Sequence, residues 1–179
     1  MLESLITSKT RIKILLKFFL NFQNTCHLRG LEAEFGESSN SIRLELINLE
    51  NAGLLNSTIK GNKKIYYANT NYPFFSEINS IFKKLVGIDQ IIEHITSQVG
   101  DLDAAYLIND LANGNDSKII ELVLIGNNLD RGYIEILASK AEKFISRKIK
   151  YDMLNREEMI ERFRDKPVLL IWKANASIA

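Results

Sequence analysis

"LRGLEAEFGESSNSIRLELINLENAGLLNSTIKGNKKIYYAN", residues 28–69, carries the pattern that decides the amino-terminal fold. Its first segment places Leu28, Leu31 and Phe35 at helical spacing and stops at Gly36, a residue suited to the left-handed position that closes a helix. The second segment opens at Ser38 or Ser39, either of which suits an N-cap, and closes at Gly53. Projected at roughly 100° per residue, Ile42, Leu46 and Leu49 fall in one narrow sector, which is the expected core face. The opposite sector holds Asn40, Arg43, Leu44, Ile47 and Asn51. Outer helix faces are ordinarily charged throughout, so two apolar residues beside an amide and a guanidinium form a poor solvation face. They form a sensible base-reading face: Asn pairs with adenine, Arg with guanine, and Leu or Ile touches a thymine methyl. The alternative is burial of Leu44 and Ile47 by a neighbouring helix or subunit.

The remainder of the stretch reads as two short strands around Lys60-Gly61-Asn62-Lys63, where Gly-Asn supplies the positive φ values of a tight hairpin. No acidic residue lies between Leu54 and Tyr72 in the sequence, so Lys60, Lys63 and Lys64 are expected to project unopposed positive charge. Phosphate contact is the natural use of such a tip beside a reading helix. Upstream, "TSKTRIKILLKFFLNF" (7–22) sets Ile12, Leu15, Leu16 and Phe19 on one helical face, with Ser8 as N-cap. A packing helix, a short helix, a turn and a longer helix follow helix-turn-helix grammar.

Residues 5–70 therefore resemble the winged-helix domains of bacterial ArsR-like and MarR-like transcription regulators, on the small turn, the Leu46 and Leu49 pair, the "AGLL" ending and the basic hairpin. The resemblance implies a helix in the major groove of double-stranded DNA, a wing on the backbone and a two-fold homodimer. It places Ser39, Asn40, Arg43, Leu44 and Ile47 at base edges, and Ser38, Lys60, Lys63 and Lys64 at phosphates. The paired cysteines of metal-sensing ArsR members are absent, so metal-triggered release is not expected.

After Pro73, "FFSEINSIFKKLVG" and "IDQIIEHITSQVG" give two helical patterns separated by Gly87, with Phe74, Ile78, Ile81, Phe82 and Leu85 on the first and Ile88, Ile91, Ile92 and Ile95 on the second. These form a connector over 73–99, free to pair between subunits or to pack on the carboxy-terminal module. Beyond Gly100, "AAYLIN", "KIIELVLIG", "KIKYDML" and "PVLLIW" read as four strands. A helix runs from about Tyr133 to Ser146, burying Ile134, Leu137, Ala138, Ala141 and Ile145. A further short helix begins at Asn155, where Glu158 completes a capping box.

Residues 88–173 resemble the small nucleotidyltransferase-like domains that bacteria fuse behind winged helices. In active members one strand ends in Gly-Ser-Tyr-Ala-Arg-Gly and the next carries Ser-Asp-x-Asp-Leu ahead of an apolar run ending in Gly. The Gly-Ser turn lets backbone amides approach the triphosphate, and the two Asp hold the divalent cations. Aligned on its strand and Gly126, this chain reads Asn109-Asp110-Leu111-Ala112-Asn113-Gly114, then Lys118-Ile119-Ile120-Glu121-Leu122. Only Ala112, Gly114, Leu122 and the acidic character at Glu121 match. Ile119 cannot ligate a hard cation, Asp110 sets a charge where the family has a small hydroxyl, and Asn113 replaces Arg. Asp110, Gly114, Glu121 and Asp152 are thus expected to mark a vestigial nucleotide or metal pocket, with nucleotidyl transfer, catalytic residues and cofactors absent.

The expected organisation is α+β: a winged helix-turn-helix over 1–72, the helical connector over 73–99 and a small α/β nucleotidyltransferase-like domain with a mixed sheet over 100–179. With 179 residues and 46% hydrophobic content, two compact modules with real cores are feasible. The net charge of +1 hides an asymmetry, because residues 1–84 carry 11 Lys/Arg against 7 Asp/Glu and residues 85–179 carry 12 against 15. A basic amino-terminal half suits a polyanion. One cysteine, Cys26, permits no internal disulfide, and with only two histidines in the chain Cys26 and His27 do not make a zinc set, reading instead as a pair at the start of a helix. The sequence shows neither a signal-peptide pattern nor a bilayer-length apolar run, so a cytoplasmic protein with no membrane partner is expected. The second module is left with dimerisation, sensing of a small ligand, or protein docking.

Overall fold

The computed structural model describes residues 6–95, 101–145 and 147–174. Eight helices and seven strands are present among them, in two compact units, Met1–Phe82 and Lys83–Ala179. The division falls inside the helix Phe75–Val86, within the stretch read as a connector. It also moves Lys83 and Lys84 to the second unit, which cuts the basic excess of the first from four to two. With so small a sum, the field of the first unit depends on where its charges stand.

In the first unit α1 (Lys9–Leu20) is capped by Ser8, whose hydroxyl accepts from the Arg11 amide. The α1 sequence buries Ile14, Leu15, Leu16, Phe18, Phe19 and Leu20, a wider apolar face than the single stripe expected. Two short elements come next, β1 (Thr25–His27) and α2 (Leu28–Phe35), of which β1 was not anticipated. Cys26 and His27 were read as a pair at a helix start. His27 does occupy the N-cap of α2, but Thr25, Cys26 and His27 also pair antiparallel with Tyr67, Tyr66 and Ile65. The run was too short and too polar to signal a strand, and tertiary pairing makes it one.

Helix α2 ends at Gly36, whose φ of 64° lets its N–H return to the Glu32 carbonyl. Helix α3 (Ser39–Asn51) is capped by Ser38, which settles the choice between the two serines. Its Ile42, Leu46 and Leu49 are all buried, as the projection requires. Strands β2 (Leu55–Lys60) and β3 (Lys63–Ala68) form the hairpin, and β1 completes a three-stranded sheet in the order β1-β3-β2. At the two-residue turn only Gly61 takes a positive φ, 63°; Asn62 does not. Helix α4 (Phe75–Val86) begins after Phe74, and Phe82 is its buried anchor in this unit, whereas Phe74 and Ile81, which share the apolar spacing read in the sequence, are exposed.

The second unit starts with α5 (Ile88–Ile95), which buries Ile88 and Ile91 and packs on α7, so the connector's second helix belongs to the carboxy-terminal module. The side chain of Ile95 lies outside the described residues. The sheet has the order β6-β5-β4-β7, from β4 (Asp101–Ile108), β5 (Ile119–Asn127), β6 (Lys148–Leu154) and β7 (Val168–Lys173). It is mixed: β5 and β6 run parallel, while β4 runs antiparallel to both β5 and β7. Gly126 is required where β5 meets β4, because a Cβ there would stand 2.3 Å from the Asp101 carbonyl oxygen.

One sheet face is covered by α7 (Arg131–Ile145), with Ile134, Leu137, Ala138 and Ala141 buried against Ile120, Leu122 and Leu124. The other is covered by α8 (Arg156–Phe163), whose Met159 and Phe163 pack with Ala104, Ile108, Val123 and Ile125. The capping box read at Asn155 and Glu158 is formed, with the two reciprocal bonds at 2.8 and 2.9 Å. A four-residue helix, α6 (Asn109–Ala112), follows β4 directly and takes Asn109, which the sequence placed at the end of the strand "AAYLIN". The α+β organisation, the helix-turn-helix with its hairpin and the mixed carboxy-terminal sheet are as the sequence indicated.

Candidate functional site

The outer side of α3 is open. Leu44 is 53% and Ile47 41% exposed, and Asn40 and Arg43 are exposed beside them. Among the described residues no neighbouring helix buries Leu44 and Ile47, which removes one of the two alternatives left by the sequence. Arg43 Nη2 donates to Asn40 Oδ1 at 3.0 Å, one turn apart along the helix, so the two groups read as independent are coupled and their planes are set with respect to each other. Ser39 and Asn40 occupy the exposed first turn of α3. Ser38 accepts from the Ser41 amide, which leaves its own O–H available to donate.

Between α3, the start of α2 and the hairpin runs an open groove of about 460 Å³. Four of the residues chosen from sequence line it: Arg43, Ile47, Lys63 and Lys64. Leu44 and Lys60 are exposed outside it, on α3 and at the hairpin end. The sequence reading missed Arg29, Asn62 and Tyr66 as groove residues. Arg29 follows β1, and only the pairing of β1 with β3 brings the start of α2 beside the hairpin. No local periodicity reports that pairing.

The carboxylates of this unit explain why the groove is cationic despite the small net excess. Glu34 binds Lys17 at 2.6 Å, Glu37 binds Lys13 at 2.6 Å, and Glu45 binds Arg11 at 2.7 Å, all between α1 and the α2–α3 segment. Burial raises the Glu37 carboxyl, but hydrogen bonds from Lys13 and Thr10 outweigh it and the group ends below the usual carboxylate range. Acidic charge is thereby consumed on the α1 side. Arg29, Arg43 and Lys63 line the groove with no carboxylate bound to them among the described residues.

Lys64 departs from expectation. It was read as unopposed because its neighbours in sequence are not acidic, yet Glu50 at the end of α3 meets it at 2.7 Å. The other Glu50 oxygen accepts from Ser57 on β2. Bonds from Lys64 and Ser57 hold the Glu50 carboxyl below the usual range, and the same contact raises Lys64. One carboxylate thus ties both hairpin strands to α3. A depressed acid contributes stability above its unfolded value, about 4.3, and loses it as pH falls through the lower folded value. Acidification should therefore loosen the hairpin: amide NMR shifts of β2 and β3 in the parent at about pH 3 should move toward those of Glu50→Gln at neutral pH. Shifts unchanged by both treatments would show that Glu50 does not set the hairpin.

The carboxy-terminal residues chosen from sequence are not equivalent. Register places Glu121 beside Lys150 and Asp152 beside Val123, so Glu121 and Asp152 share the α8 face of the sheet, two rows apart. Asp152 is engaged by Arg162 at 3.0 Å. Asp110 is exposed on α6, and Gly114 is buried with a φ of 76°. Among the described residues, no three His, Cys, Asp or Glu side chains group as a metal site. Cys26 is half-buried, and burial pushes its thiol up, away from the reactive thiolate. No described helix is long and apolar enough to cross a membrane.

Neither protein-family models nor curated proteins match this sequence. Seven solved chains resemble it in structure. Reduced HlyU from Vibrio cholerae matches at a TM-score of 0.37 and 18% identity, over 47% of this chain and 80% of that one. The toxin–antitoxin MntA–HpeT matches at 0.38 and 14% identity, over 49% and 74%. A protein from Sulfolobus solfataricus, described as a nucleotidyltransferase candidate, matches at 0.36 and 21% identity, over 59% and 93%. All are partial matches at low identity.

Proposed function

We propose that the chain is a sequence-specific DNA-binding transcriptional regulator, acting as a homodimer. In this reading Ser39, Asn40, Arg43, Leu44 and Ile47 meet base edges while Ser38, Lys60, Lys63 and Lys64 hold phosphates. The single supporting observation is the exposed Asn40–Arg43 pair beside Leu44 and Ile47, on a helix whose groove is rimmed by cations. A bidentate guanidinium, an amide and apolar contacts to a methyl are the complement of a major-groove edge. Lysines at a hairpin end suit phosphate, which fixes position without reading sequence.

Lys63→Ala should weaken binding to every duplex alike and flatten the dependence of log affinity on log salt by roughly 1, measured by fluorescence anisotropy across a salt series. A loss confined to one sequence would make Lys63 a reader instead.

In the same proposal the second unit has lost nucleotidyl transfer and serves dimerisation, sensing or docking. Ile119 at the first metal-ligand position and the Arg162 partner of Asp152 support this. Incubation with Mg²⁺ and labelled nucleotide should give no transfer, and transfer abolished by Glu121→Gln would establish an enzyme. The exposed Leu44 and Ile47 also fit a protein partner, and duplex binding that fails even at low salt would favour that reading.

A further inference from the structure

The three lysines of the hairpin do not stand alike. Lys60 and Lys63 face each other across the turn, and among the described residues no carboxylate binds either. Lys64 pairs with Ile59 and so lies on the opposite face of the ribbon, the face that Ser57 and Tyr66 continue. There it meets Glu50 Oε2 at 2.7 Å and stands 5.1 Å from the centre of the Tyr66 ring. Ser57 donates to the other Glu50 oxygen at 2.5 Å, which fixes the plane of the carboxylate.

Glu50 is placed where a helix does not favour it. It lies in the last turn of α3, at the partially negative end, so its charge is answered by the hairpin and not by the helix. Seven residues after Arg43, it also falls two turns along the same side of α3 as Arg43 and Ile47, which line the groove. A carboxylate on that side opposes a polyanion in the groove. The ion pair is open to solvent, with Lys64 42% and Glu50 26% exposed, so a phosphate has access to the ammonium.

We infer that Glu50 competes with a backbone phosphate for Lys64 and thereby limits the affinity of the groove for every duplex. On the DNA-binding reading, on which this rests, Glu50 joins the residues that set the strength of binding, acting through Lys64 and touching no base. Moving Lys64 from Glu50 to a phosphate exchanges one ion pair for another and leaves an unpaired carboxylate beside the polyanion. The lysine therefore contributes less than Lys63, which gives up no partner. Sequence-independent affinity is held down by this exchange, and base contacts keep a larger share of the total.

Fluorescence anisotropy of the full chain across a salt series, against the preferred duplex and an unrelated one, tests this, with circular dichroism as the check of folding. Glu50→Gln keeps an acceptor for Ser57 and removes the charge. It should tighten both duplexes roughly two- to fivefold and steepen log affinity against log salt by as much as about 1. Lys64→Ala should weaken binding in both backgrounds, and by roughly twofold or more beyond the parent's loss in Glu50→Gln. Ser57→Ala unties the carboxylate without changing any charge, and it should not tighten binding. Glu50→Gln with the affinity and slope of the parent, equal losses from Lys64→Ala in the two backgrounds, or tightening by Ser57→Ala equal to that by Glu50→Gln would each overturn the competition alone. A parent that binds no duplex even at low salt would overturn the DNA-binding reading and the competition with it.

Discussion

Arg43→Ala should cost about 1–3 kcal/mol in binding to the preferred duplex and erase the preference at one base position. The side chain is exposed and its hydrogen bond goes to Asn40 on the same surface, so the fold does not depend on it. Thermal stability should stay within about 0.5 kcal/mol of the parent. Arg43→Lys should keep part of the affinity and lose the discrimination, because an ammonium lacks the planar fork that spans two acceptors. Anisotropy titrations against the preferred duplex and its single-base variants separate the outcomes. Equal affinity of Arg43→Ala and the parent at the preferred site would remove Arg43 from the readout.

The two faces of α3 offer the second large effect, because they predict opposite results for neighbouring leucines. Leu46 is 1% exposed, in the core shared by α1, α2 and α3. Leu46→Ala deletes buried methyl groups and leaves a cavity, so it should destabilise the first unit by about 2–5 kcal/mol. Leu44 faces outward at 53% exposure, and Leu44→Ala should change stability by less than about 0.5 kcal/mol. Its consequence should fall on duplex affinity instead. Denaturant unfolding together with anisotropy makes the comparison, and a stability loss at Leu44 matching that at Leu46 would mean that the outer face is structural.

Much of this was legible because helical periodicity reports burial directly. The apolar sector Ile42, Leu46 and Leu49 and the outward sector around Arg43 came from spacing alone and stand as projected. Caps at Ser8, Ser38 and Asn155 were legible for the same local reason: the chemistry lies within a few residues of the backbone groups it satisfies. Failures share a different cause. β1, the groove role of Arg29 and the Glu50–Lys64 pair all depend on segments distant in sequence. Absence of acids between Leu54 and Tyr72 said nothing of an acid arriving from α3. Phe74 and Ile81 followed helical spacing yet remain exposed, since periodicity marks an apolar face without naming what covers it.

The central claim is that the Arg43 face of α3 and the lysine-bearing hairpin engage a duplex together. The most direct measurement is selection of duplexes from a random pool by the full chain at low salt, followed by sequencing. A short enriched motif, repeated in inverted orientation and lost from the Arg43→Ala selection, is the predicted result. Recovery of the starting pool without enrichment, from folded protein, would contradict it.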